Sequence, residues 1–535
     1  MENSYPTLTK DSIYTILSER FNNQFFTLKD LPHPSTFKDM DRAVERIIEA
    51  IKNSEKIALI GDYDVDGVIS TSIMVEFFKE IDVDLMWIIP NRFEDGYGLS
   101  LSLIPKIENY DLVITVDNGI SAVEAAKKCQ ELGIDLIITD HHIVPSPKPD
   151  AYAIVDQKQS ECTFEYEEVC GAQIAWYLCS AINIKLGRKI DMRGYLDLVS
   201  IAIIADIMPL QHINRAMVHS GIARLNSAQR DFVKAYKEHS NKEKITSEDI
   251  AFALAPILNS AGRLEDASLA VEYILSTNIY DARSRLQKLV LLNDRRKEIE
   301  QQITNEASRM VDSNDDIIVV SSDNWHEGVV GIVAARLAKK FERAAIVLNC
   351  SDDICKGSGR SFGDCNLFEL VKDQKEMLDK FGGHRMAIGL SIAKNRIEEF
   401  HNLLNSSAKE ICKQKNFVDH SIIGKLPFSE INFDLLDMIE KFEPYGEGNS
   451  KPKFVSTNVE ILAVQTMGKD ANHLRFTFRD GEYIHNAVQF KTYENYQQGD
   501  KVDIIYTLNK NSFRSKISIQ LMVEKVEKVE NKFLY

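Results

Sequence analysis

The chain has 535 residues, 44% hydrophobic and 27% charged, with a formal net charge of −16. Those proportions fit a globular chain of several domains, at about 150 residues each, and exclude a disordered or collagen-like protein. Charge is uneven, since residues 336–396 sum to +4 and residues 451–535 to +3. Any nucleic acid must therefore meet local basic strips on the C-terminal half.

No apolar stretch reaches the roughly 18 residues of a membrane span. The start MENSYPTLTKDSIY lacks the basic and apolar regions of a signal peptide. A cytoplasmic protein without a membrane partner is the expectation. The eight cysteines (129, 162, 170, 179, 350, 355, 365 and 412) show no CxxC pair and no zinc spacing. They are read as mostly small, reduced core residues.

In chain order, an N-terminal segment over residues 1–50 carries an amphipathic helix at Met40–Asn53. Apolar runs at residues 56–60 (KIALI), 84–89 (DLMWII), 112–116 (LVITV) and 136–139 (LIIT) predict strands. Helical patterns over 68–80 and 121–132 lie between them, an alternation that predicts a mostly parallel sheet covered on both faces. Helices over 171–186 and 195–207 close this first α/β lobe (51–211) near Met208-Pro209. Residues 212–312 read as a helical connector, whose charged stretch near 293–309 is a solvated spacer between lobes. A second α/β lobe (313–425) begins with IIVV at 317–320. From Val455, the runs VEILAV, HLRFTF, IHNAVQF, KVDIIYTL and KISIQLMVEKV predict five strands of an all-β unit within 426–535. The expected fold class is α/β, two lobes joined by a helical connector, with a C-terminal all-β domain.

The strands of the first lobe run into acids. KIALI leads into Asp62, Asp64 and Asp66, LVITV into Asp117-Asn118-Gly119, and LIIT into Asp140-His141-His142. Strand carboxyl ends in a parallel sheet converge on one crevice, so these clusters share a small volume. Asp206, at the end of the apolar YLDLVSIAIIAD, also needs a partner. So many carboxylates cannot stay ionised together without a counter-charge. Divalent cations supply it, and mixed Asp/His donors suit manganese best among the common choices.

DYDVDG, VDNG, DHH and ADIMPL resemble the four motifs of the DHH phosphoesterase superfamily. PNRFEDGYGLS, PILNSAGRLEDA, NWHEGVVGIVAARLAKKF, GSGRS, FGGHRMAIGLSI and FEPYGEGNSKPKF resemble blocks of its RecJ branch, over roughly residues 50–530. The resemblance implies DHH and DHHA1 lobes followed by an OB-fold. It implies a single-stranded-DNA-specific 5′→3′ exonuclease of DNA repair and recombination, releasing 5′ mononucleotides with two manganese or magnesium ions. Asp62 and Asp64 would hold one ion, Asp66, His141 and Asp206 the other, and Asp117 would bridge them. His142 would sit near the scissile phosphate, with Asp140 orienting the histidines.

For the second lobe the resemblance implies that Gly357-Ser358-Gly359-Arg360-Ser361 offers phosphate its backbone N–H groups, the hydroxyls of Ser358 and Ser361, and the Arg360 guanidinium. Gly383 and His384 would allow close backbone approach and add a donor. Arg92, Tyr97 and Arg263 would line the path of the strand and its 5′ phosphate. His326 fits either a substrate contact or a helix entry. In the tail, Phe476, Phe490 and Phe513 suit base stacking, although strand aromatics also build cores. Single-stranded DNA is the implied partner, with a single-strand-binding protein and a helicase as protein partners of a monomer.

Three other readings use part of this set. A phosphodiesterase of short oligonucleotides or cyclic dinucleotides needs the metals and the GGH block but neither the barrel nor NSAGR. An inorganic pyrophosphatase needs little beyond the two lobes. A non-catalytic replication scaffold predicts broken ligands, whereas every acid and both histidines are present here.

Overall fold

The computed structural model describes residues 5–529 except 23, 228–229, 352, 413–420, 469–471, 491, 493 and 514–515. After helices α1 (Lys10–Glu19) and α2 (Met40–Asn53), the first lobe is built on β1 (Ile57–Ile60), β2 (Met86–Ile88), β3 (Leu112–Val116), β4 (Asp135–Thr139) and β5 (Ala153–Val155). All neighbours are parallel, in the order β2-β1-β3-β4-β5. This is a doubly wound sheet whose chain reverses direction between β1 and β3, the switch point at which such sheets bind ligands.

Side-chain alternation explains why the strands are apolar throughout. Ile57 and Leu59 join one core with α2, α3 (Val65–Glu80), α6 (Gly171–Lys185) and α7 (Leu196–Ala205). Ala58 and Ile60 join another with α4 (Ile104–Ile107) and α5 (Val123–Glu131). Each such fully buried Ile or Leu contributes about 1.5–3 kcal/mol. The short β5 was not predicted, because an apolar run of three residues falls below the length that marks a strand.

The connector contains α8 (His212–Ser227), α9 (Asp231–Ser240), α10 (Ser247–Asp249), α11 (Ala255–Leu264), α12 (Ser268–Ile274) and the 32-residue α13 (Ile279–Met310). Helix α13 is more than a solvated spacer. Its Ala282, Leu286 and Leu289 belong to the first lobe's core, and its Ile303 and Ala307 to a core of the second. Between them the buried Glu300 pairs with Arg296 (2.8 Å) on the same helix and with Arg336 of the second lobe.

The second lobe has β6 (Ile318–Ser322), β7 (Ala345–Asn349), β8 (Ile354–Arg360), β9 (Leu378–His384) and β10 (Ala387–Ala393), in the order β6-β7-β8-β10-β9. Only β6–β7 is parallel. Helices α14 (Val330–Phe341), α15 (Leu367–Lys372) and α16 (Ile397–Ile411) cover it. The cysteine expectation fails in this lobe. Cys350 is bonded to Cys355 and Cys365 to Cys412, whereas Cys129, Cys162, Cys170 and Cys179 are free. The β7–β8 hairpin and the packing of α15 on α16 bring together cysteines that carry no spacing signature.

The tail adds β11 (Ile422–Lys425), α17 (Phe433–Glu440), β12 (Lys453–Met467), β13 (His473–Asp480), β14 (Tyr483–Phe490), β15 (Lys501–Phe513) and β16 (Lys516–Lys528). Strands β12-β13-β14-β16-β15 close on themselves through β12–β15, making the five-stranded barrel of an OB-fold, and β11 pairs alongside β12. Phe476 is core, stacked on Phe478 with ring centroids 4.9 Å apart. Phe490 is 54% exposed, and the side chain of Phe513 lies outside the described residues.

The N-terminal segment divides between bodies. Leu8, Ile13 and Leu17 share the barrel's core, and Leu8 N–H donates to the Lys425 carbonyl at 2.8 Å. Met40 and Ile47 pack in the first lobe. Among the described residues no helix is long and apolar enough to cross a membrane.

Candidate active site

Three strand exits meet at the switch point. After β1, Asp64 caps α3, its Oδ1 accepting from Asp66 N–H (2.9 Å) and Gly67 N–H (3.2 Å). Asp66 turns inward to the start of α6, where Gly171 N–H (2.6 Å) and Ala172 N–H (2.8 Å) donate to its carboxylate. After β3, Asp117 adopts φ +62°, a left-handed conformation that Asp tolerates better than most residues. After β4, Asp140 accepts from Ile120 N–H at 2.9 Å and from its neighbour His141 N–H at 2.8 Å.

His141 brings these exits together with the end of α7. Its Nε2 lies 3.2 Å from Asp117 Oδ1, 3.7 Å from Asp206 Oδ2 and 3.8 Å from Asp66 Oδ2. The donor atoms fall into overlapping groups: Asp62, Asp64 and Asp117; Asp66, His141 and Asp206; and Asp117 with both histidines. Asp117 is shared between groups, as a bridging ligand must be.

Asp62 Oδ1, Asp117 Oδ1 and Asp206 Oδ2 are buried with no hydrogen-bond partner. A buried carboxylate oxygen left so costs several kcal/mol, and a divalent cation removes that cost. The titration behaviour agrees. Burial, then the neighbouring carboxylates, pushes Asp62, Asp117 and Asp206 well above the usual carboxylate range and Asp66 up to about 6. Burial, with His142 beside it, lowers His141 to about 3, leaving a neutral imidazole suited to ligation. The donor set therefore fits two hard divalent ions.

His142 differs from its neighbour. Burial would lower it, but its Nδ1 lies 2.7 Å from Asp140 Oδ1 and the pairing raises it to about 9. Burial would likewise raise Asp140, yet the bond to His142 outweighs it and holds that carboxyl below its usual value. The pair presents a cationic ring with Nε2 directed away from Asp140.

Arginines face this acidic centre. Arg92 lies over the Tyr63 ring at 5.3 Å, and Tyr63 meets Tyr97 edge-on at 5.9 Å. Tyr97, 44% exposed, donates its hydroxyl to the Asp117 carbonyl at 3.4 Å. Burial, then Arg92, Arg296 and Arg360, lowers Arg263 to about 10. Arg360 is lowered by burial and by Arg92. Mutual repulsion among three guanidiniums predicts affinity for an anion.

One expectation for the second lobe is overturned. The backbone N–H groups of GSGRS are not open to a phosphate: residues 357–360 lie in β8, paired with β7 on one side and β10 on the other. Its backbone N–H groups belong to the sheet, so only side chains can meet a phosphate. Gly357 and Gly359 are there for packing, because a Cβ would stand 2.4 Å from Leu348 and 2.7 Å from Ile388 respectively. Ser358 and Arg360 share the opposite face, with Arg360 Nη1 donating to Ser358 Oγ at 2.7 Å. The Ser361 hydroxyl is engaged by the Cys365 carbonyl. Gly383 and His384 lie exposed on β9, the edge strand.

Asp156 escaped the sequence reading, and Asn118 was named there without a role of its own. Asp156 follows β5, with one oxygen accepting from Lys158 N–H (2.7 Å), the other buried without a partner, and burial raising its pKa to about 7. The signal was AIVD, a further strand ending in an acid. Asn118 ties β1 to β3, donating to the Ile60 (3.1 Å) and Val116 (2.9 Å) carbonyls.

Comparison with known proteins agrees with this architecture. Residues 56–203 match the DHH family N-terminal domain, 314–410 the DHHA1 domain and 422–525 the RecJ OB domain. The chain is 34% identical over 509 residues to the single-stranded-DNA-specific exonuclease RecJ of Bacillus subtilis, covering 92% of this chain and 64% of that relative. It is 30% identical to the same-named protein of Haemophilus influenzae, over 94% and 93% of the two chains. The crystal structure of Thermus thermophilus RecJ with Mn2+ is similar with a TM-score of 0.81 at 25% identity, covering 96% of this chain and 74% of that one.

Proposed function

The chain belongs to the RecJ family, and on that premise we propose that it is a single-stranded-DNA-specific exonuclease. In this reading it works 5′→3′, releases 5′ mononucleotides, and uses two manganese or magnesium ions. The observation that carries the proposal is Asp117, grouped with Asp62 and Asp64 on one side and 3.2 Å from His141 of the Asp66–His141–Asp206 group on the other, with buried oxygens of Asp62, Asp117 and Asp206 that lack partners, opposite a cluster of arginines.

Asp62, Asp64 and Asp117 would hold one ion, and Asp66, His141 and Asp206, with Asp117 beside them, the other. Bound ions would supply Lewis acidity and neutralise charge at the scissile phosphate. Cationic His142, oriented by Asp140, offers a proton from Nε2 to the phosphate or its departing oxygen. Arg92, Arg263 and Arg360, with Ser358 and the Tyr97 hydroxyl, hold the 5′ end, which positions the first phosphodiester over the acids. Gly383 and His384 flank the strand as it leaves, and the barrel, with Phe490 exposed, grips the trailing strand.

The limits 51–211, 212–312, 313–425 and 426–535 belong to the same proposal. So do a role in repair and recombination, a cytoplasmic location, a monomer, and contact with a single-strand-binding protein and a helicase.

End-labelled strands test the reading. With manganese, a 5′ label should leave at once as a mononucleotide, while a 3′-labelled strand shortens as a ladder. Prior release of the 3′ label, or turnover of dinucleotides without attack on long strands, overturns it.

A further inference from the structure

Phe93 and His326 have no part in the chemistry above, although they stand where the two lobes meet. Phe93 belongs to the first lobe's loop after β2 and His326 to the turn before α14 of the second. Their rings meet edge-on, with centroids 5.6 Å apart and planes at 89°. We propose that Phe93 and His326 form a clamp that stacks the base of the 5′-terminal nucleotide, the one about to be released. The inference rests on the exonuclease reading.

Both rings are held firmly for surface groups. Phe93 is 39% exposed, yet its loop is pinned: Phe93 N–H donates to Asn91 Oδ1 (2.9 Å), Asn91 N–H to Asp95 Oδ2 (2.9 Å), and Lys106 pairs with Asp95 (3.0 Å). His326 Nδ1 accepts from Gly328 N–H at 3.1 Å, which fixes the ring. Gly328 in turn lies so close to α11 that a Cβ there would stand 1.9 Å from the Arg263 carbonyl oxygen, and Arg263 Nη1 donates to the Gly328 carbonyl at 3.2 Å.

The histidine turn is therefore mounted on Arg263, and Phe93 follows Arg92 directly in the chain. Both rings are thus tied to arginines proposed to hold the 5′ phosphate. A base linked to that phosphate through one sugar has these rings within reach. Burial, with Arg295 and Arg92 nearby, keeps His326 below its ordinary pKa, so the ring is neutral at pH 7. The helix-entry and substrate readings of His326 are compatible: Nδ1 caps the turn and the ring face receives the base.

A base sandwiched at about 3.5 Å from each ring needs roughly 7 Å between them, so the rings rotate and part slightly on loading. Base–aromatic stacking changes affinity by about tenfold per base or more.

The test compares single strands carrying a 5′ phosphate that are intact, abasic at nucleotide 1, or abasic at nucleotide 3. First-cleavage kcat/KM is measured with manganese. Wild-type protein should lose roughly tenfold on the strand abasic at nucleotide 1 and little on the other. His326→Ala and Phe93→Ala should lose about as much on intact DNA and no longer distinguish an abasic first nucleotide, while His326→Phe should restore the distinction. Equal rates of wild-type protein on the intact strand and the one abasic at nucleotide 1 overturn the clamp, as does undiminished discrimination in the alanine variants. An equal loss at nucleotide 3 overturns its assignment to the terminal base. If no strand is cleaved at all, the exonuclease reading itself has failed, a result distinct from these.

Discussion

The two α/β lobes make opposite use of their sheets. In the first, every strand is parallel and its carboxyl end is open, so acids collect at the β1/β3 reversal and several of their oxygens stay unpaired. In the second, β8 is paired on both sides, so its polar side chains alone, chiefly Ser358 and Arg360, are left to meet a ligand. One lobe concentrates negative charge that calls for cations, and the other contributes a guanidinium that calls for an anion. A parallel sheet exposes chemistry at its ends, whereas a mixed sheet exposes it on one face.

The largest expected effect breaks the acidic side. Asp117→Asn keeps the side-chain shape and tolerates the left-handed backbone, but removes the shared charge. Activity should fall by more than about 10²-fold, since outer-shell partners alone are worth 10- to 100-fold. The Tm of the metal-free protein should hold or rise as carboxylate repulsion is relieved. Retained activity would contradict the bridge.

On the opposing side, Arg360→Ala should raise KM by about tenfold, the worth of one charge-assisted hydrogen bond, with Mn2+ affinity unchanged in calorimetry. A parallel loss of metal binding would erase the division between lobes.

A smaller effect comes from pH. Asp156 and Asp66 have raised carboxyl pKa values, to about 7 and about 6, so the folded state holds protons that the unfolded chain releases near pH 4. Without metal, the stability they lend is fully present below that pH and is lost as pH rises through 6 and 7. Metal binding requires deprotonated ligands, so Mn2+ should raise the Tm more at pH 8 than at pH 5. An equal shift at both would count against Asp66 as a ligand. The smallest effect is expected of Ser361→Ala, whose hydroxyl is already used within the second lobe. Its KM should change by less than about threefold, well short of the worth of a substrate hydrogen bond.

What the sequence disclosed follows the same contrast. The acids after β1, β3 and β4 were legible because parallel strands are unbroken apolar runs, and the polar residue ending each run stands out. Met40–Asn53 was legible for its helical periodicity. GSGRS was misread because glycines dilute the strand pattern, and only the structure shows Leu348 and Ile388 filling their places. Strand β5 was too short to see, which hid Asp156. The docking of Leu8 on Lys425 and the pairing of Cys365 with Cys412 join distant segments, and no local pattern announces such contacts.

The central claim is a pair of cations joined through Asp117, and calorimetric titration of the metal-free protein with Mn2+ tests it most directly. Two ions per chain, with both affinities weakened together in Asp117→Asn, is the predicted result. A single ion per chain, or two sites of which only one responds to Asp117, would contradict it.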